Sequence, residues 1–333
     1  MSEPLRVTVV GAGIVGLACA MRLAEAGYEV TVHARDFGAD TTSSVAAAIW
    51  FPYRAYPESR VIAWGARGYQ VLAEMAGVEG SGVRLRSGRQ LFRVETPDPW
   101  WMPAVPTVDR LAAAELPEGY VDGLRLRVPV VDMSWHLPWL SRRVSSLGVR
   151  AVAGSVGEPA ELAAESDVVV NCTGFGAREF VGDTTMVPVR GQVVVVEQWG
   201  VDEWLIEENE EDTPVYVVPR EETVVLGGTA HEGATGLEPD PGIARSIVER
   251  CAKLVPEVAS ARIVRHAVGL RPARHEVRME ADRAADGLAV VHCYGHGGAG
   301  VTLAYGCAEE VVSIVGTALS EVNATPGPGI NLR

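Results

Sequence analysis

Three glycines near the N-terminus have the spacing of a loop that can bind a pyrophosphate. They lie in the run Gly11-Ala12-Gly13-Ile14-Val15-Gly16. Gly11 permits a tight turn, Gly13 lets the backbone approach a phosphate group, and Gly16 allows close packing of a helix on a strand. A pyrophosphate would then lie at a helix N-terminus, where N–H groups and the helix dipole favour negative charge. The run therefore predicts a dinucleotide site.

An acidic residue about 20 positions after such a loop commonly binds the ribose hydroxyls of the dinucleotide. Asp36 stands near this position and Arg35 precedes it. The arginine could instead bind a 2′-phosphate, so this first loop leaves FAD, NAD and NADP open.

A second glycine-rich run lies near the C-terminus. It is Tyr294-Gly295-His296-Gly297-Gly298-Ala299-Gly300-Val301-Thr302, and an apolar stretch with helical periodicity follows from Leu303 to Val315. NAD needs one such loop, whereas FAD must be held at its adenine end and at its isoalloxazine ring. A helix N-terminus beside the ring would stabilise the negative charge that builds up on reduction. Two loops favour non-covalently bound FAD.

Other polar residues near these loops have two interpretations each. His296 lies between glycines, but we identify no cysteine or carboxylate partner for it, so we predict a structural histidine rather than a catalytic one. Residues 41–44 carry four hydroxyls and residues 45–48 are small. Such a segment could contact a phosphate or a flat ring, or it could be a loop with a helix N-cap at Ser44.

The elements that would position these residues follow from the apolar pattern. Residues 5–10 are almost wholly apolar, as in a strand buried in a parallel sheet, and a helical pattern and a second strand, residues 28–33, follow the first loop. Residues 166–174 predict a third buried strand whose end contacts the cofactor. Residues 216–219 and 223–229 predict a strand pair that is bent at the charged residues 220–222. The sequence predicts an α/β protein with a Rossmann-like domain.

Composition narrows the class of protein. A chain of 333 residues predicts two domains, and its net charge of −14 disfavours nucleic acid as a partner. The five cysteines are widely separated and include no C-x-x-C pair. They predict buried thiols in a reducing cytoplasm and no metal site. No run approaches the roughly 18 uninterrupted apolar residues of a membrane helix, so we expect no membrane association.

The order of motifs along the chain resembles the D-amino acid oxidase family of flavoproteins. The run Tyr294 to Thr302 with an upstream Gly-x-Arg-Pro is the specific part of this resemblance. Besides the first loop, the matching motifs are Val45-Ala46-Ala47 with Trp50 and Pro52-Tyr53, Val170 to Gly174, Arg190-Gly191-Gln192, Tyr216 to Pro219, Leu226-Gly227-Gly228 and Gly269-Leu270-Arg271-Pro272.

The resemblance implies two domains and a set of cofactor contacts. Residues 1–50, 141–190 and 265–333 would form the FAD-binding domain, and residues 51–140 and 191–264 a substrate-binding domain built on a large antiparallel or mixed β-sheet. The cofactor residues would be Gly11, Ala12, Gly13, Ile14, Val15, Gly16, Arg35, Asp36, Thr42, Ser43, Ala47, Ala48, Ile49, Gly174, Gly297, Gly298, Gly300, Val301 and Thr302.

The resemblance also implies the chemistry. Arg271 matches the arginine that binds the substrate carboxylate, and Tyr216 matches a tyrosine that shares this carboxylate. Tyr53, Phe51, Ile49 and Gly298 would line the pocket. The Cα hydrogen of a free D-amino acid would leave as a hydride toward flavin N5, and dioxygen would reoxidise the flavin to give hydrogen peroxide, with a 2-oxo acid and ammonia as the other products.

Three departures from the family bear on specificity. Residues 207–212 carry five carboxylates where the family has a lid, and we expect them to disfavour acidic substrates. Phe51 makes the pocket more apolar than the amide that relatives carry, although Arg54 could pair an acidic side chain if it turned inward. The order Arg35-Asp36 is reversed from the usual acidic-then-basic pair.

Several alternatives stay open at this point. A glycine or sarcosine oxidase would share the first loop, an NADP-dependent dehydrogenase would use Arg35, and a flavin-binding module would lack turnover. The sequence leaves a homodimer open.

Overall fold

The computed structural model describes residues 4–207 and 213–324, with side chains to residue 319. Within these ranges the strands form one mixed sheet of 14 strands. In chain order they are β1 (Arg6–Val10), β2 (Glu29–Ala34), β3 (Val83–Phe92), β4 (Val108–Arg110), β5 (Asp122–Val131), β6 (Arg150–Ala153), β7 (Val168–Asn171), β8 (Val187–Glu197), β9 (Trp204–Glu207), β10 (Val215–Pro219), β11 (Thr223–Gly227), β12 (His231–Glu232), β13 (Ile263–Arg283) and β14 (Ala289–His296). The helices are α1 (Ile14–Glu25), α2 (Glu58–Met75), α3 (Met133–Ser146), α4 (Ala177–Phe180), α5 (Pro241–Leu254) and α6 (Gly300–Ala324).

One half of the sheet is parallel, in the order β14, β7, β1, β2, β6. The central strands β1 and β7 consist largely of buried valine, as strands covered on both faces require. The carboxyl ends of parallel neighbours meet at one edge, and both glycine-rich loops begin at this edge. The predicted β-α-β unit and the third buried strand are confirmed.

The other half runs β4, β5, β3, β9, β10, β11, β8, β13. Its pairs are antiparallel except for β3 and β9, which are parallel. The predicted strand pair bent at residues 220–222 is β10 with β11. An α/β fold with a large mixed sheet is confirmed.

Strand β13 joins the two halves, because it pairs with β8 on one side and with β14 of the parallel half on the other. The predicted domain boundaries at residues 190 and 265 fall inside β8 and β13, and α2 of the predicted substrate-binding stretch packs against α6 of the cofactor stretch. Strands of the predicted cofactor stretches nevertheless occupy the parallel half. The division into two domains stays a prediction.

The last helix is apolar enough over Gly300–Leu319 to cross a membrane by length and composition alone. It packs against α1 and α2, however, and 61% of that window is buried inside the fold. Core helices of folded proteins pass the same test. Its Glu309 and Glu310 form ion pairs with Arg67 and Arg60 of α2.

A fully buried histidine ties α3 to α6. His136 contacts the Ser81 carbonyl oxygen through Nδ1 and the Tyr305 hydroxyl through Nε2, both at 2.7 Å. Burial lowers the pKa of His136 to about 4, although the hydrogen bond to Ser81 acts in the opposite direction.

We expect this histidine to make stability pH-dependent. The unfolded chain takes up a proton near pH 6.5 but the folded protein only near pH 4, so the contribution of His136 is full above pH 6.5 and is lost as the pH falls toward 4. The free energy of unfolding should fall by about 2 to 3 kcal/mol between pH 7 and pH 4.5 through this group. Urea unfolding at both pH values should show a smaller change in the free energy of unfolding with pH for His136→Gln than for the unmodified protein. The same substitution at the exposed His275 is the control, and an unchanged pH difference in His136→Gln would contradict the assignment.

Candidate active site

The first glycine loop is built by close backbone contacts at the edge of the parallel half. Gly11 has φ +114°, and a β-carbon there would lie 2.4 Å from the Cys172 carbonyl oxygen. A β-carbon at Gly16 would lie 1.9 Å from the Gly11 carbonyl oxygen. Both positions therefore require glycine.

Helix α1 begins at this loop with Gly13 as its N-cap and with no side-chain cap and no acidic residue in its first turn. The N–H groups of a first turn have no acceptor within the helix. The Ser43 hydroxyl accepts a hydrogen bond from Ile14 N at 3.0 Å, which brings the predicted hydroxyl segment to the helix N-terminus. A small backbone loop with N–H donors and no opposing negative charge fits a pyrophosphate.

Asp36 and Arg35 follow β2 and pair with each other. Arg35 Nε and Nη2 donate to Asp36 Oδ2 at 2.9 and 2.7 Å, and the arginine side chain is 75% exposed. Asp36 Oδ1 accepts no hydrogen bond from the residues that the structure describes. The carboxylate thus keeps one oxygen for ribose hydroxyls, and both residues stay candidate cofactor contacts.

The segment from Thr42 to Ile49 runs across the sheet edge. Thr42–Val45 form a short 3-10 helix, so Ser44 is not the N-cap of a longer helix. The Ala46 carbonyl oxygen accepts a hydrogen bond from Arg220 Nη2 at 2.6 Å. Ala48 has φ +57°, and its carbonyl oxygen accepts from Val131 N at 2.7 Å. Anchoring at both ends fixes Ala47, which is half-buried between them.

The second glycine loop joins the same region. Gly297 N donates to the Pro272 carbonyl oxygen at 3.0 Å, and a β-carbon at Gly174 would lie 3.8 Å from Pro272 Cγ. The Thr302 hydroxyl accepts from Phe51 N at 2.9 Å and donates to the Phe51 carbonyl oxygen at 3.0 Å. Predicted cofactor residues from four separate stretches of the chain therefore meet here, with Gly300 and Val301 at the start of α6.

A buried carboxylate supports the strand that carries this loop. Asp183 Oδ2 accepts from the Tyr294 hydroxyl at 2.8 Å and from Arg274 Nε at 3.0 Å. Burial raises the pKa of Asp183, but hydrogen bonds from Thr185, Tyr294 and Arg274 outweigh this effect and hold it well below its ordinary value. Asp183 is not among the residues predicted from the sequence.

Arg271 and Tyr216 meet on the antiparallel half. Arg271 Nη1 donates to the Thr229 carbonyl oxygen at 2.8 Å, and its guanidinium covers Gly191, where a β-carbon would lie 2.6 Å from Nη1. Tyr216 stands opposite Gly227 in the β10–β11 pair, and a β-carbon at Gly227 would lie 1.8 Å from Tyr216 Cζ. Glycines on neighbouring strands thus leave space for both side chains.

The environment keeps the Tyr216 hydroxyl protonated. Burial raises its pKa, while the positive charge of nearby Arg271 lowers the pKa only in part. A cation beside a neutral hydroxyl donor can hold a carboxylate.

An aromatic cleft of about 570 Å³ opens at Tyr53; Arg271 and Tyr216 are not among its lining residues, and Gly298 lies between Tyr53 and Arg271. Tyr53 belongs to its wall, and a β-carbon at Gly298 would lie 2.5 Å from Tyr53 Cδ1 and 3.5 Å from Arg271 Cδ. Phe51 and Trp101 pack edge to face with ring centroids 5.5 Å apart. The lining residues are Phe51, Pro52, Tyr53, Arg54, Tyr56, Gln90, Phe92, Thr96, Pro97, Asp98, Pro99, Trp100, Trp101 and Pro214.

The predicted pocket residues do not all line this cleft. Phe51 and Tyr53 do, and Gly298 lies against Tyr53. Ile49 instead forms a bridge with Val130 of β5, because the chain joins the sheet there. Arg54 is exposed and also lines the cleft, with its guanidinium carbon 5.3 Å from the centre of the Tyr53 ring.

The acidic segment needs one correction. Glu207 lies in β9 and is only 6% exposed, and its carboxylate accepts from Arg93 Nε at 2.8 Å and from the Tyr120 hydroxyl. It is a paired carboxylate within the sheet, since β9 continues through it. The remaining residues of the predicted lid, 208–212, lie outside the described part of the chain.

His296 also needs a correction. It is buried, as a structural histidine should be, but its Nε2 lies 3.9 Å from Cys293 Sγ. The expectation that it has no cysteine neighbour is wrong, because the two side chains meet at the end of β14, where Gly295 has φ +84° and the regular alternation of side chains is broken.

Other functional residues were missed because their signal lies across strands. Gly191 and Gly227 were noted only as parts of motifs, and Thr229 was not singled out. Trp100 and Trp101 form a conspicuous aromatic pair beside Pro99, which could have indicated a pocket wall.

Comparison with known proteins places these features in context. A family model described as FAD dependent oxidoreductase matches residues 6–314. The D-amino-acid oxidase of Rubrobacter xylanophilus is 44% identical over 316 residues, covering 95% of this chain and 97% of that protein. The D-amino-acid oxidase of Streptomyces coelicolor is 44% identical over 311 residues, covering 92% and 96%. The crystal structure of glycine oxidase from Bacillus cereus ATCC 14579 is similar in fold, with a TM-score of 0.75, 17% identity and coverage of 98% and 100%.

Proposed function

Since the chain belongs to the FAD dependent oxidoreductase family, we propose that it oxidises free D-amino acids to 2-oxo acids, ammonia and hydrogen peroxide. The observation that carries this proposal is the meeting of Arg271 and Tyr216 over two cross-strand glycines, beside an aromatic cleft. The D-amino-acid oxidases that are 44% identical along nearly the whole chain support the same substrate class.

Arg271 and Tyr216 would hold the substrate by its carboxylate. The guanidinium offers a planar pair of donors, and the neutral Tyr216 hydroxyl offers one more. Thr229 fixes the guanidinium through Nη1, so its orientation is set before a substrate arrives. Such preorganisation lowers the entropic cost of alignment.

FAD would be held by the loop at Gly11–Gly16 together with the segments around Ser43, Ala47, Gly174 and Gly297. When bound, FAD supplies the acceptor for the substrate hydride and passes the electrons to dioxygen. The residues of the chain align the substrate and exclude water, and no side chain needs to act as a base if the amine binds in its neutral form. The N-terminus of α6 at Gly300 would favour negative charge on the ring.

The cleft supports a preference for neutral and apolar side chains. Phe51, Phe92 and Trp101 supply apolar surface, and burying an aromatic or branched side chain there would contribute about 1.5 to 3 kcal/mol. Asp98 adds a carboxylate to the lining, and its Oδ1 is paired with Arg110 Nη2 at 2.6 Å. Because Arg110 pairs with Asp98 and Arg54 also lines the cleft, the proposed preference rests on the apolar surface rather than on repulsion of acidic side chains.

A substrate panel tests this proposal. Peroxide release should be highest with D-phenylalanine, D-leucine or D-valine, at least about 10-fold lower in kcat/KM with D-aspartate, and absent with the L-isomers. Glycine and sarcosine as the best substrates would instead identify an achiral amine oxidase. D-aspartate as the best substrate would overturn the specificity assigned to the cleft.

A variant of the cleft sharpens the same measurement. Phe51→Ala should lower kcat/KM for D-phenylalanine relative to D-alanine by about 10-fold, because it removes apolar surface only the larger substrate can use. Trp135, an exposed aromatic residue of α3, provides the control variant Trp135→Ala.

The five cysteines are free and buried, which is compatible with the proposed action in the reducing cytoplasm.

A further inference from the structure

Four of the five cysteines come together in the core between the two glycine loops. Cys19 lies on α1, Cys172 follows β7, Cys293 lies on β14 and Cys307 lies on α6. Their exposures are 0%, 8%, 1% and 0%. The fifth, Cys251, lies on α5 in a different apolar cluster. Four elements that are distant in sequence thus converge on one group of thiols.

The donor atoms are close enough to share one ion. The Sγ atoms of Cys19, Cys172 and Cys293 all lie within 4.8 Å of one another, and the Cys19 and Cys172 sulfurs are 3.8 Å apart. A metal bound at about 2.3 Å from each sulfur separates its ligands by about 3.8 to 4.0 Å in tetrahedral or trigonal geometry. The Cys19–Cys172 separation therefore matches that of two ligands of one ion, and the Cys293 sulfur lies within 4.8 Å of both.

A second donor group adjoins the first. Cys293 Sγ, His296 Nε2 and Cys307 Sγ also lie within 4.8 Å of one another, so Cys293 belongs to both groups. Carboxylates, the preferred ligands of hard cations, are absent from both groups. Sulfur donors in an apolar, buried setting select soft metals.

We propose that Cys19, Cys172 and Cys293 form a binding site for a soft, thiophilic cation such as Cu(I), with Cys307 and His296 beside it. The Cys172 carbonyl oxygen packs against Gly11, and Cys293 precedes the second glycine loop. A bound ion would therefore lie between the chain segments that carry both loops. Binding would release thiol protons, since thiolates are the ligating form.

Cu(I) binding can be measured directly on the flavin-loaded protein by anaerobic competition with bathocuproine disulfonate, a Cu(I)-specific chelator of known affinity. We expect one Cu(I) to be retained per chain, with an affinity weakened by about 100-fold or more in Cys293→Ala. Cys251→Ala is the matched control, because it removes a buried thiol outside the cluster, and it should bind like the unmodified protein. Equal retention by Cys293→Ala, or no retention by any of the proteins, would overturn the proposal.

Further variants locate the ion and its class. Cys19→Ala and Cys172→Ala should each lose Cu(I), whereas Cys307→Ala should keep most of it, and the reverse pattern would refute the assigned ligand set. Loading with Zn(II) should leave less than one equivalent after gel filtration, and stable retention of Zn(II) without Cu(I) would refute a soft-cation site. Circular dichroism of each variant confirms that the fold is retained, and Cys293→Ser repeats the test with a side chain of similar size. These measurements do not depend on turnover, so they test the metal site independently of the proposed oxidase activity.

Discussion

Replacing Arg271 with alanine is expected to lower kcat/KM for the best D-amino acid by about 100- to 10,000-fold while the purified protein stays yellow. Each hydrogen bond to a charged group contributes about 1.5 to 3 kcal/mol, and a guanidinium can form two with a carboxylate. Arg271 donates to the Thr229 carbonyl oxygen. Within the described part of the chain no hydrogen bond joins it to the first glycine loop, so flavin binding should survive. Peroxide release and the flavin absorbance band measure the two effects.

Two further arginine variants make this result specific. Arg271→Lys should recover only part of the loss, because an ammonium cannot bind a carboxylate in the bidentate manner. Arg283 lies at the exposed end of the same strand, and the Arg283→Ala variant should retain normal kcat/KM. An Arg271→Ala protein with full activity would end the site assignment, and a colourless one would indicate that the residue acts through cofactor binding.

The second large effect concerns the first glycine loop. Gly16→Ala should weaken FAD binding by about 10- to 100-fold, because the added β-carbon would lie 1.9 Å from the Gly11 carbonyl oxygen and would force the loop to move. The ratio of flavin to protein after purification, and FAD titration of the apoprotein by fluorescence, measure the loss. Gly236→Ala is the control, since a β-carbon there meets nothing within 4 Å. A Gly16→Ala protein that binds FAD normally would show that this loop does not hold the pyrophosphate.

Much of the fold could be predicted because its signals are local. The apolar run before Gly11, the helix after Gly16 and the strand pair around residues 220–222 each lie within one short segment, and the structure has them where the sequence predicts them. The resemblance to the D-amino acid oxidase family, which rested on motif order along the chain, is confirmed by the family model and by the 44% identical relatives.

Other parts of the site depend on strand register and could not be predicted. The place of Tyr216 follows from its pairing opposite Gly227, and that of Arg271 from the absence of a side chain at Gly191. The assignment of Ile49 to the pocket wall stays a prediction, and the structure adds that its backbone forms a bridge to Val130. Glu207 was assigned to a lid, yet its partners Arg93 and Tyr120 lie 114 and 87 positions away in the sequence.

The sequence by itself determined where the backbone must approach a ligand closely, because such positions require glycine and their neighbours in the chain supply the strand and helix on either side. Only the tertiary structure decided which side chains meet. The antiparallel register brings Arg271 to Tyr216, and the packing of α1 and α6 on the parallel strands gathers Cys19, Cys172, Cys293 and Cys307 into one cluster. The contact between Cys19 and Cys172 joins residues 153 positions apart, and Tyr216 and Arg271 come from different strands, so no pattern within a single segment can encode them.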